Sequence, residues 1–313
     1  MAIATGFETK LTISGEESSF GNAETGGFFE VGQKSSSLSL AFENINVERI
    51  RGDRNAENIL KGTESVSGDI TVDLAPDDIH NIMIVSVLCD ADDADESGTG
   101  STYIPESTQR SYNIVHQLDG TIDGSGEYQV FRGCQFNSMS LTVGATGTIE
   151  TTFSVLGQTM VQATAHPGSG VTDATASERI PFTSDDATVS FNSADNGFVT
   201  DFSLTIDNGM SAIYTVGDNK PIEGHLGKST VTGSMTVLFD SDAEYARFVD
   251  RSETAINLTI GSGATGVKFE MPRCVLTSGT TEAASDGAVT AAFEFTALFD
   301  DSATHAIRFD NHL

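Results

Sequence analysis

The side chains from which a metal centre or a nucleophile could be built are six histidines (His80, His116, His166, His225, His305 and His312) and three cysteines (Cys89, Cys134 and Cys274). No two of the histidines stand at a ligand spacing, and none joins a cysteine cluster, so a structural or surface role is expected for each. Acidic runs at "DADDAD" (90–95) and "DSDAE" (240–244) lack the twelve-residue calcium-loop pattern. In "QLDGTIDGSGE" (117–127) the carboxylates Asp119, Asp123 and Glu127 fall four apart, making them the metal candidates within what otherwise reads as a turn-rich hairpin tip. There is no nucleophile elbow, phosphate loop or dinucleotide fingerprint. Two carboxylates could in principle hydrolyse a glycoside, but nothing in the pattern singles out a pair. No enzyme and no cofactor is expected.

Forty-five acidic residues face 16 basic ones, for a formal net charge of -29. Such a surface repels nucleic acid and anionic membranes, and it is tolerated best where salt screens self-repulsion, as in a halophilic setting. One basic cluster interrupts it: Arg49, Arg51 and Arg54 in "VERIRGDRN", with Lys61 just after. The embedded "RGD" is common by chance and carries no weight. A positive loop on so acidic a chain is complementary to another copy of the chain, although scattered solvated charges explain it as well. No stretch approaches the roughly 18 apolar residues of a membrane span. The opening "MAIATGFETK" has no charged and apolar signal-peptide regions, and three dispersed cysteines do not read as a disulfide framework. Synthesis in the cytosol is expected.

The elements that would position these residues are strands, and they repeat. "LSLAFEN" (38–44) is echoed by "FSLTIDN" (202–208), and "VSGDITVDL" (66–74) by "VTGSMTVLF" (231–239). "GTIETTFSV" (147–155) is answered by "GAVTAAFEF" (287–295), an offset that also brings Cys134 onto Cys274 and points to paired core roles for both. The phrases alternate apolar and polar residues with period two, the mark of half-buried strands. After each second phrase comes a helix pattern: "APDDIHNIMIVSVL" (75–88), and a run preceded by Ser241 and Glu244 at capping-box spacing. A tandem duplication of a β-rich domain follows, with a first domain at 1–163, a connector at 164–181 rich in Gly, Ser, Thr and Asp, and a second domain at 182–313. The second copy is shorter; the extra material of the first falls near 90–125, where it could decorate an exterior. Long loops at 44–65 and 207–230 occupy corresponding places, and loops of that kind are often binding arms. Their charged residues Arg49, Arg51, Arg54, Lys61, Lys220, His225 and Lys228 are candidates for contacts between subunits or rings.

The chain resembles the major tail tube proteins of long-tailed bacteriophages and archaeal viruses, in a duplicated-domain form. The likeness rests on "GFETKLTISGEESSFGN" (6–22), "VSGDITVDLAP" (66–76), "FEMPRCVLTSGTTEAASDGAVTAAFEFTALFD" (269–300) and the closing "IRFDN" (307–311). The resemblance implies a mainly β, sandwich- or barrel-like core in each copy, with a short flanking helix and a long loop. It implies homo-oligomeric rings stacked into a hollow tube, here trimers with pseudo-hexameric symmetry, with 44–65 as the ring-stacking loop and 207–230 as its counterpart. It implies a place in the virion tail after assembly in the host cytoplasm, with tail terminator, baseplate or tail tip, and tape measure proteins as partners. DNA would pass through the lumen without specific binding. Two rivals share the β architecture. One is a ring of the baseplate or terminator that does not polymerise. The other is a surface adhesion or carbohydrate-binding module, against which stands the absence of tryptophan.

Overall fold

The computed structural model describes residues 6, 9–49, 52, 55, 57–90, 101–118, 128–173, 180–191, 194–195, 198–238, 243–282 and 288–311. Within these the chain is mainly β, with two short α-helices, as the alternating pattern requires. In chain order the first half contributes β1 (Lys10–Glu16), β2 (Gly27–Val31), β3 (Gln33–Ser36), β4 (Ser39–Val47), β5 (Asn58–Asp73), α1 (Asp78–Leu88), β6 (Thr102–Tyr103), β7 (Tyr112–Gln117), β8 (Tyr128–Val143), β9 (Glu150–Gly157), β10 (Thr159–Ala163) and β11 (Gly170–Thr172). The second contributes β12 (Ala187–Phe191), β13 (Ala194–Asp195), β14 (Val199–Asp207), β15 (Ser211–Ile213), β16 (Glu223–His225), β17 (Thr230–Leu238), α2 (Ala243–Asp250), β18 (Thr254–Ile260), β19 (Val267–Glu282), β20 (Thr290–Ala297) and β21 (Arg308–Asn311).

Two sheets are linked through the long strands. In the first half β11, β2, β1, β7, the start of β8 and β10 pair in that order. At the irregularity between Phe136 and Ser138, β8 passes into a second sheet with the order β4–β5–β9–β8. The second half repeats this plan: β12, β18, the start of β19 and β21 in one sheet, then β14–β17–β20–β19 in the other, with an irregularity between Leu276 and Ser278. A bulge at the same place in both 16-residue strands bends them from one layer into the next. β6, from the first half, adds itself to β21 of the second, where Tyr103 stacks on Phe309 at 6.1 Å.

The hydrogen-bond register corrects one sequence alignment. Thr205 and Ile206 pair with Thr232 and Val231 as Ser39 and Leu40 pair with Ser67 and Val66. The matching tetrads are therefore Ser37-Leu38-Ser39-Leu40 and Ser203-Leu204-Thr205-Ile206, two residues away from the offset the phrases suggest. The glycines agree: a Cβ on Gly68 would lie 2.6 Å from the carbonyl oxygen of Ser37, and one on Gly233 would lie 2.4 Å from that of Ser203. Glycine recurs there because the adjacent backbone crosses too closely for any side chain.

The helices also correspond. α1 begins at Asp78, with Asp77 as N-cap accepting from the amide of Ile79 at 3.3 Å, three residues later than the apolar pattern begins. It ends at Cys89 in the left-handed conformation (φ 53); after α2, Arg251 takes the same conformation (φ 50). The capping-box residue Ser241 lies outside the described residues. The apolar core is continuous across both halves, from Leu11 and Ile13 through Phe136, Phe153 and Ile206 to Phe293 and Phe309. Each such side chain contributes roughly 1.5–3 kcal/mol by leaving water.

Candidate functional site: a continuous two-faced sheet with two open edges

The sheets of the two halves join into one. β14 pairs with the end of β8 from Phe202 opposite Val143 to Asp207 opposite Ser138, so the strand order runs β4–β5–β9–β8–β14–β17–β20–β19. Period-two alternation then gives this sheet two unlike faces. One row across it reads Ile70, Phe153, Met139, Ile206 and Val231, all buried against the core. The neighbouring row, on the opposite face, reads Thr71, Thr152, Ser140, Thr205, Thr232 and Thr296. The next polar row reads Asp73, Glu150, Thr142, Ser203, Ser234, Glu294 and Ser278. Hydroxyls bond across strands: Thr71 and Thr152 Oγ1 at 3.1 Å, Ser203 and Ser234 Oγ at 2.8 Å, and Thr205 Oγ1 donating to Ser140 Oγ at 3.4 Å. Lys34 reaches this face at its margin, bonding Glu150 at 2.6 Å and Asp73 at 3.5 Å, and those carboxylates push its ammonium pKa up.

Among the described residues, both outer strands keep one bare edge. β4 pairs with β5 alone, and from Val275 to Glu282 β19 pairs with β20 alone. Bare edges of this length are templates for pairing with another strand.

The loop at 207–230 is tied back to the first half. The Gln158 side chain donates to the carbonyl of Pro221 at 3.0 Å, Gln109 to that of Gly224 at 2.6 Å, and Tyr214 Oη to that of Glu64 at 3.2 Å. The anchor is Glu64, which is 4 % exposed and receives Lys61 Nζ at 2.9 Å, Thr159 Oγ1 at 2.9 Å and, more distantly, Lys220 Nζ at 3.6 Å. Burial pushes its carboxyl up, but the Lys61 and Thr159 hydrogen bonds with the two ammonium charges outweigh it and hold the pKa below the usual carboxylate range. The candidates Lys61 and Lys220 thus converge on one carboxylate that sequence reading did not single out, because nothing local marks it as buried.

The remaining candidates stay apart. Arg49 is an exposed side chain 3.6 Å from Glu57. His225 lies on β16 opposite Ser211, and Lys228 is exposed. Arg51, Arg54, Asp119, Asp123 and Glu127 lie outside the described residues. Lys61 also sits over the Phe42 ring at 3.9 Å from its centroid. By contrast with 207–230, the hairpin of β4 and β5 carries Ile45, Ile59 and Leu60, all about half exposed. Among the described residues no three His, Cys, Asp or Glu side chains gather as metal ligands do. His80 is buried with its pKa pulled to about 4, and burial pushes the thiols of Cys89 and Cys274 up to about 11 and 12.

Among the described residues this is a two-faced sheet, backed by a single core, with a bare edge on each outer strand. The family model for phage tail tube protein matches residues 6–297. The chain belongs to the phage tail tube protein family. A comparison with curated proteins found no match. Tail tube proteins are structural components of the viral tail, and this tail tube chain is a structural protein, not an enzyme. Sequence reading anticipated the alternating faces; it did not locate the β8–β14 seam, which joins strands distant in sequence and leaves no local signature.

Proposed function

We propose that the chain is a tandem duplication of one tube domain, at 1–163 and 182–313 with 164–181 as connector, and that three chains close into a pseudo-hexameric ring. The observation that carries this reading is the β8–β14 seam. Within the chain, the end strand of the first half already pairs with the first strand of the second. The structural counterparts of those two strands are β19 and β4, and both have bare edges. Applying the seam's register to them gives Leu38 opposite Thr281, Ser39 opposite Thr280, Leu40 opposite Gly279 and Ala41 opposite Ser278 of the next chain. The contact is heterologous, and with a three-fold rotation between chains its repetition closes a ring that leaves no edge exposed.

In such a ring the apolar face stays against the core and the hydroxyl and carboxylate face turns to the lumen. Asp69, Asp73, Glu150, Asp201, Asp207 and Glu294 then line the channel, where they repel the phosphate backbone and let DNA pass without specific binding. The projecting β4–β5 hairpin, with its exposed isoleucines and leucine and Arg49, reaches the adjacent ring. Stacked rings form the tail tube, assembled in the host cytoplasm and capped by terminator and tail-tip components around a tape measure protein. The net charge of -29 fits a saline host environment.

Negative-stain electron microscopy of the purified chain over a salt series tests the polymer. Hollow, regularly striated tubes are expected as salt screens the acidic surfaces. Single closed rings at every salt would move the assignment to a terminator or baseplate ring, and a monomer at every salt and concentration would count against assembly by this chain alone.

A further inference from the structure

The two helices differ where they should be alike. Aligned on their left-handed terminal residues Cys89 and Arg251, α2 places Tyr245 and Val249 where α1 has Met83 and Val87. Met83 and Val87 are fully buried, whereas Tyr245 is 39% and Val249 63% exposed. Both exposed residues stand four apart, on one side of a helix that packs through Phe248 on Gly279 of the bare strand β19.

What approaches the end of α1 is visible within the chain. Asn208, at the end of β14, lies 5% exposed and donates its side-chain amide to the carbonyl of Val87 at 2.6 Å. Its own backbone amide bonds the carbonyl of Asn137 on β8. In the register set by the paired tetrads, the residue of β4 that corresponds to Asn208 is Phe42. That ring is 42% exposed and lies on the same face of β4 as the core-contacting Leu38 and Leu40.

Resting on the ring reading above, we infer that Phe42 of one chain seats against Tyr245 and Val249 at the end of α2 in the next. The polar cap used at the seam within the chain is replaced by an apolar contact between chains. The occupant is a second copy of this chain because the seam inside the chain already shows the geometry with every part present. The exchange also gives the two seams different chemistry. An amide that reaches a helix-terminal carbonyl belongs to one, and an aromatic ring on a Tyr-Val face belongs to the other. A second half therefore meets a first half of another chain in one order only.

The test is cross-linking with a short bis-maleimide in the full chain. Cys89, Cys134 and Cys274 are all buried, so introduced thiols react selectively. The pair Phe42→Cys with Val249→Cys reports the proposed contact, and Ala41→Cys with Ser278→Cys reports edge pairing independently of it. Both pairs should give an interchain ladder ending at a closed trimer. If only the 41–278 pair links, the ring stands and the Phe42 contact is overturned. If only the 42–249 pair links, the contact stands and the strand register is overturned. If neither links, the ring reading falls and the contact falls with it. In a second measurement, Val249→Asp should raise the concentration needed for assembly at least tenfold while leaving the melting curve of the monomer in place. An unchanged assembly concentration would overturn the contact.

Discussion

The end of β14 and the start of β4 hold corresponding places in the two halves, in different circumstances. In β14, Ile206 is fully buried and Asn208 nearly so, because β8 lies alongside and α1 ends above. In β4, Leu40 is half-buried and Phe42 is 42% exposed with Lys61 over its ring, because among the described residues no strand pairs with the outer edge of β4. The other partner shows the same contrast: Met139 and Leu141 of β8 are fully buried, while Gly279 and Thr281 of β19 are not. Exposure of this kind does not mark a poorly built half. On the proposed ring reading it marks the place of the next chain, and the covered β14 is the guide to what that chain brings.

The contrast is broken most forcefully by a charge on each strand. Ile206→Asp buries an unpaired carboxylate at the inner seam, and a loss of about 4 kcal/mol or more is expected in denaturant unfolding. Leu40→Asp, at the open counterpart, should cost only about 1–2 kcal/mol in the lone chain and yet abolish rings in electron micrographs. Equal losses at the two sites would mean that the strands are not equivalent.

A smaller effect is expected at Glu64, where the 207–230 loop is tied to the first half. Glu64→Ala strands the Thr159 hydroxyl and the Lys61 ammonium, at a cost of about 1–3 kcal/mol, and should speed amide exchange around Asn219. Its pKa is depressed in the folded chain, so the stability it supplies is present above the ordinary value of 4.5 and is lost as pH falls through the depressed value.

Glu17 behaves in the opposite sense. It is 6% exposed, accepting from Gly133 N at 2.8 Å, Asn113 Nδ2 at 2.6 Å, Ser111 Oγ at 2.7 Å and Gly21 N at 2.7 Å. Burial raises its pKa over the lowering effect of these bonds. Folding therefore loses stability as pH rises from 4.5 through the raised value, a slope that chemical denaturation at several pH values should find and that Glu17→Gln should flatten. The smallest effect belongs to the polar face: Asp69→Asn should change stability by no more than about 0.5 kcal/mol, because this exposed carboxylate lies away from the core.

Much of this architecture was legible because strands announce their faces. "VSGDITV" and "VTGSMTV" alternate so regularly that the buried row, the polar row and the recurring glycine are all readable. The alignment of Ser39 with Ser203 slipped by two for the same reason: a shift of two leaves every side chain on its own face, so hydrophobic pattern alone cannot detect it. The joining of β8 to β14, the burial of Glu64 and the reach of Asn208 to α1 are long-range. Each depends on where distant strands lie, and none alters the residues nearby. Lys61 and Lys220 could be picked out as charges on long loops, but their shared partner could not.

The most direct measurement is an electron cryomicroscopy reconstruction of the assembled ring, deep enough to trace strands. Three chains are expected around a hollow centre, with β4 of each paired to β19 of the next in the register of Leu40 opposite Gly279. A ring in which β4 faces solvent, or in which the bare edge of β19 is covered by anything other than β4, would contradict the account.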